Sequence, residues 1–152
     1  MRLHFGAIAF VILINVSCSK HNDSETGNKR SRTQTPTMLS VDLNGDGVAD
    51  RVTIVKDSGR NVTLAADIKL PNGIKKESIK FHIDRGKQDG FCGWPVGLIA
   101  EPLDYDPDPD VGPLQGYVKS NRAVGLRISD GECDDFHINW NHDRQSIDWW
   151  RQ

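Results

Sequence analysis

Asp42-Leu43-Asn44-Gly45-Asp46-Gly47-Val48-Ala49-Asp50-Arg51-Val52-Thr53-Ile54-Val55 is the stretch whose reading decides the fold. Its first nine residues place oxygen-bearing side chains at loop positions 1, 3, 5 and 9 and glycine at position 6, the arrangement a calcium loop requires. Three carboxylates in so short a span repel one another unless a cation sits among them. Gly47 supplies the left-handed backbone that turns such a loop. The residues after it choose the fold class. A helical calcium motif runs into an amphipathic helix, whereas Asp50 to Val55 is rich in β-branched residues and reads as a strand. Position 12 is Thr53, so the bidentate glutamate of a high-affinity sensor is missing. The expected site is of the weak extracellular class, with Kd on the order of 10⁻⁴ to 10⁻³ M. A metal-free Asn-Gly and Asp-Gly turn between two strands is the competing reading.

The same residues resemble the D-x-N-G-D-G-x-x-D loop-then-strand motif of FG-GAP and VCBS-type repeats, found in integrin-like propellers and many bacterial surface proteins. The resemblance implies side-chain calcium ligands at Asp42, Asn44, Asp46 and Asp50 and a backbone carbonyl ligand at Val48. Only one copy occurs, and a propeller needs at least four blades, so a propeller is excluded by length.

Downstream of the loop the chain is punctuated by turns. Val52 to Lys56, Val62 to Leu70, Ile79 to Asp84, Gly97 to Ala100, Gln115 to Lys119, Ala123 to Ser129, Asp135 to Trp140 and Ser146 to Trp150 read as strands. Pro71-Asn72-Gly73 marks a hairpin or short loop. No stretch after residue 37 has the pattern of a three-turn amphipathic helix. The expected fold is all-β: a small antiparallel meander, barrel-like or sandwich, over residues 38–152, after a signal peptide and a disordered linker.

In Asp135-Phe136-His137-Ile138-Asn139-Trp140 apolar and polar residues alternate, which turns Phe136, Ile138 and Trp140 inward and His137 and Asn139 outward. The chain turns at residues 141–144 and returns through Ser146 to Trp150. Trp149 and Trp150, adjacent in a strand, must face opposite ways. One of them is a candidate exposed aromatic, and with His137 forms a candidate partner-binding surface for a protein or glycan. The plainer alternative is that it covers a sheet face.

Residues 1–17 carry Arg2, then an apolar run from Phe5 to Ile14, then small polar residues, and read as a signal peptide. The run is too short to span a bilayer. Cys18 behind it resembles the acylated cysteine of a bacterial lipoprotein, although Asn15 stands where such signals usually carry leucine; cleavage after Ser19 to a free secreted or periplasmic protein is the rival. By that resemblance the partner is a lipid bilayer reached through acylated Cys18, Ser19 favours the outer membrane, and the location is the bacterial cell envelope. Residues 19–37 contain no aliphatic or aromatic side chain to bury, so 18–37 is expected to be a disordered tether with a reach of roughly 24 Å.

The formal charge of −2 offers no support for nucleic-acid binding. Cys92 and Cys133 remain as an even pair in an oxidising compartment and are expected to form a disulfide. A zinc site of Cys92, Cys133, His137 and His142 is the alternative, with a spacing that matches no familiar finger. Asp104-Tyr105-Asp106-Pro107-Asp108-Pro109-Asp110 repeats a carboxylate every second residue but puts Pro109 where a calcium loop needs a left-handed residue, so an extended acidic loop is expected. No nucleophile elbow, zinc-helix or phosphate-loop motif occurs. The functional expectation is a non-enzymatic, calcium-stabilised binding module; a periplasmic inhibitor or immunity-like protein is the alternative, and a hydrolase using His137 and nearby Asp residues is the third reading.

Overall fold

A computed structural model of the chain describes residues 37–107 and 109–151. The signal segment, Cys18 and the linker up to residue 36 lie outside the described residues. Among the described residues nine strands form two sheets: β1 Met38–Val41, β2 Asp50–Lys56, β3 Asn61–Leu70, β4 Gly73–Ile83 and β5 Gly90–Phe91 in the first, then β6 Gly97–Leu103, β7 Ser120–Ser129, β8 Phe136–Asn141 and β9 Ser146–Arg151 in the second. In each sheet the strand order follows the chain order. All neighbours run antiparallel except β5, which lies parallel to β4 through His82 and Ile83. The fold is an all-β sandwich of two meanders; the sheets do not close into a barrel.

Alternation explains why these segments are strands. In β3, Val62, Leu64, Ala66 and Ile68 are buried while the residues between them are not. Val52 and Ile54 of β2 and Phe81 of β4 join them, and from the second sheet Leu98, Leu126, Ile128, Phe136, Ile138, Trp140 and Ile147 complete one core. An aromatic group spans the two layers. The Phe81 and Phe136 ring centroids are 4.7 Å apart, Phe91 and Phe136 are 4.8 Å apart, and Trp149 meets Phe136 edge-on at 5.4 Å. Rings in such tilted and edge-to-face pairs contribute about 0.5–1.5 kcal/mol beyond their area burial. The Leu70–Gly73 pairing closes the β3–β4 hairpin across Pro71 and Asn72, with Gly73 at φ 133°.

Three expectations need correction. Gln115 to Lys119 is not a strand. The carbonyls of Gln115 and Gly116 are taken by Asn141 Nδ2 at 2.9 Å and His142 N at 2.8 Å, not by a sheet neighbour. Gly116 adopts φ 74°, and a Cβ there would fall 2.0 Å from Asn141 Oδ1. The acidic loop is not extended throughout, since Pro109–Val111 forms a 3-10 turn. Asn139 does not face water: it is 4% exposed, paired in register with Asp148 of β9, and its Nδ2 is satisfied by the Trp140 carbonyl at 3.2 Å.

The disulfide between Cys92 and Cys133 is formed, with Cα atoms 5.7 Å apart. It joins the segment after β5 to the β7–β8 connection and so ties one sheet to the other. Asp130 reinforces that tie. Its carboxylate accepts backbone N–H groups from Cys92 and Gly93 on one side and from Glu132 and Cys133 on the other. Burial alone would raise the Asp130 carboxyl, but the amides of Cys133, Glu132, Cys92 and Gly93 outweigh it and hold it below its ordinary value.

Candidate functional site

The loop of residues 42–50 connects β1 to β2 and sits where the two sheets meet. Leu43 is fully buried in the core. The Asp42 carbonyl accepts the Val124 N–H of β7 at 2.8 Å, and an added Cβ on Gly45 would lie 3.3 Å from Ala123 Cβ. Whatever stabilises this loop therefore acts on both layers.

Its turns are built by side-chain oxygens. Asp42 Oδ1 accepts the Gly45 N–H at 2.8 Å and the Asp46 N–H at 3.2 Å, and Oδ2 accepts the Gly47 N–H at 2.8 Å. Asn44 Oδ1 accepts the Asp46 N–H at 3.0 Å, and Asp46 Oδ1 the Val48 N–H at 2.8 Å. These are successive Asx turns. Gly47, the sixth residue, has φ 87°, the left-handed conformation expected of it.

Asp50 closes the loop from a different position. Fully buried, it accepts the Leu43 N–H at 3.0 Å through Oδ2 and the Lys69 N–H at 2.8 Å through Oδ1. Burial raises its carboxyl above the ordinary value; the amides of Lys69 and Leu43 oppose the shift, and the charges of Asp46 and Asp42 add to it. Among the described residues no salt bridge reaches Asp42, Asp46 or Asp50. The described residues also contain no group of three or more His, Cys, Asp or Glu side chains gathered closely enough to hold a metal ion. The loop carboxylates are turned toward backbone amides, yet each carboxylate has about four acceptor directions, so the donor set retains capacity for a cation.

The second group of expected site residues lies on the outer face of the second sheet. Trp149 and Trp150 do face opposite ways. Trp149 packs on the core side against Phe81 and Phe136. Trp150 points outward but is only 6% exposed, because the His137 ring lies flat on it with centroids 4.0 Å apart and planes 11° apart. Neither tryptophan is therefore a free aromatic platform: the plainer of the two readings, a tryptophan that covers a sheet face, is the one the burial of Trp150 agrees with. His137 is itself largely covered, its Nδ1 2.9 Å from Glu101 Oε1. None of the nearby aspartates is its partner: Asp135 lies 3.5 Å from Arg127, and Asp148 pairs with Arg144.

Glu101 and Arg127 were not legible as site residues. Glu101 lies 36 positions from His137, and only the register of β6 on β7 and β7 on β8 brings them to one face. Comparison with protein-family models, with curated proteins and with solved structures finds no match to the chain.

Proposed function

We propose that residues 42–50 form a structural calcium loop in a non-enzymatic binding module, held at the bacterial envelope through acylated Cys18. The observation that carries the calcium reading is Asp50: a fully buried carboxylate that feels the charges of Asp46 and Asp42 and has no cationic partner among the described residues. A buried charge without a counter-charge is expensive. A divalent cation bound by Asp42, Asn44, Asp46, the Val48 carbonyl and Asp50 supplies that counter-charge, and the left-handed Gly47 and the Asx turns suit such a loop. The ion's role is to neutralise and tighten the junction between the sheets; it takes part in no reaction.

Calorimetric titration of the exported chain with calcium tests this. One binding event with Kd on the order of 10⁻⁴ to 10⁻³ M is expected, with no comparable heat after Asp42→Ala. An equal heat from that variant would place any bound calcium elsewhere.

A further inference from the structure

The second sheet carries one polar or aromatic side chain per strand in a row across its outer face: Glu101 on β6, Arg127 on β7, His137 on β8 and Trp150 on β9. Arg127 pairs in register with His137, and His137 with Trp150. Gly125 stands opposite Glu101 and presents no side chain, so the Glu101 carboxylate reaches over β7 to His137. The Tyr105 hydroxyl, from the loop after β6, donates to the same carboxylate oxygen at 3.2 Å. The imidazole is thus fixed on three sides, by Glu101 at Nδ1, by the Trp150 plane and by its own strand. Two open hollows adjoin the row. One of about 340 Å³ lies toward Asp134 and Asp135, the other of about 480 Å³ toward Tyr105, and Arg127 and His137 line both.

Two groups in this row have unused capacity. Arg127 Nε is buried and has no hydrogen-bond partner, and its guanidinium reaches Asp135 only at 3.5 Å. His137 commits its Nδ1 to Glu101, which leaves Nε2 as the ring nitrogen available to a ligand in the adjoining hollows. A buried donor without an acceptor is costly, and an arginine with spare donors beside an oriented imidazole is a pattern suited to ligand oxygens.

We infer that this row is a small-ligand site for a neutral, hydroxyl-rich molecule of the saccharide class. The charge pattern selects the class. Glu101, Asp134 and Asp135 outnumber Arg127 at the hollows, which disfavours an anion, while Arg127 at the centre of the row disfavours a cation. Hydroxyl groups both donate and accept. They accept from the exposed part of the Arg127 guanidinium, whose side chain is 43% exposed, and donate to His137 Nε2, Asp134 and Asp135. With Trp150 already covered by His137, recognition is by hydrogen bonds and not by ring stacking. This deepens the binding-module reading by naming a ligand class, and the site uses no residue of the calcium loop.

The test is ligand-observed magnetic resonance on the full exported chain, in calcium and again in chelator, with neutral hexoses and N-acetylhexosamines, a uronic acid as anion and spermidine as cation. Binding of a neutral sugar is expected in both buffers. Arg127→Gln, and His137→Phe, which preserves a ring over Trp150, should each weaken it about tenfold or more while leaving the melting temperature's response to calcium in place. In the unsubstituted chain the same sugar should shift the His137 imidazole resonances, a readout that does not depend on either variant folding. Binding of only the charged probes, of no probe, or of sugar without a His137 shift would overturn the inference. A calcium response with no sugar binding would sink this site and leave the calcium loop intact.

Discussion

Replacing Cys92 and Cys133 together by alanine is expected to remove about 4 kcal/mol of folding stability, because the bridge closes a loop of about 40 residues in the unfolded chain. That is a large share of the 5–15 kcal/mol typical of a whole domain, and corresponds to a fall in melting temperature on the order of 15 °C. Both cysteines flank junctions between the sheets, so their loss also frees the β5 edge from the β7–β8 connection. The neighbouring Arg85–Glu132 ion pair is well exposed and compensates little. Asp130 continues to hold the amides of both segments, which is why a weakened fold is expected and not an unfolded chain. Urea denaturation of the two proteins measures the difference; a loss below about 1 kcal/mol would mean that Asp130 and the core suffice without the bridge.

Asp50→Ala is expected to cost about 3 kcal/mol in chelator, since the amides of Leu43 and Lys69 both lose their acceptor and a stranded buried donor costs about 1–3 kcal/mol. Asp50→Asn should cost less, its single amide oxygen serving one of the two. The charge of Asp50 has a separate signature in pH. Its folded carboxyl is raised above the ordinary value of 3.8, so its contribution to stability is full below that value and is lost as pH rises through the folded one. Asp130 behaves oppositely: its carboxyl is lowered, so its contribution is present above 3.8 and lost as pH falls through its folded value. Without calcium, Asp50 makes the domain less stable as pH rises from 3.8 through its folded value. With calcium bound, the ionised form is the one favoured, and that loss should shrink or reverse. Urea titrations of the unsubstituted chain and Asp50→Asn at several pH values separate these terms.

The strands with an internal alternation were readable from the chain, as β2, β3 and the β8–β9 hairpin illustrate. There the side-chain period itself records which face is buried. The strands that escaped notice lack such a record. Met38–Val41 is four residues long and is held by its pairing with β2, and Gly90–Phe91 is a two-residue parallel pairing too short to record an alternation. Gln115 to Lys119 had β-like composition, but the docking of Gly116 on Asn141 prevailed over local propensity. At the sites the division is similar. Residues 42–50 are contiguous, so their turn chemistry could be read directly. The row of Glu101, Arg127, His137 and Trp150 is assembled by strand register, and no spacing along the chain announces it. Alternation along β8 did turn His137 outward and required one of Trp149 and Trp150 to face out, but which one, and the covering that His137 and Trp150 give each other, was not foreseen.

The measurement that tests the central claim most directly is thermal unfolding of residues 20–152 and of their Asp46→Asn variant, each in 10 mM calcium and in chelator. Asp46 is exposed, and asparagine retains an oxygen for the Val48 amide, so the two proteins should melt within about a degree or two of each other in chelator. Calcium at that level with Kd of 10⁻⁴ to 10⁻³ M contributes about 1.4–2.7 kcal/mol. The account predicts a rise of roughly 5–10 °C in the unsubstituted chain and a much smaller one in Asp46→Asn. No rise in the unsubstituted chain, or an equal rise in both, would contradict it.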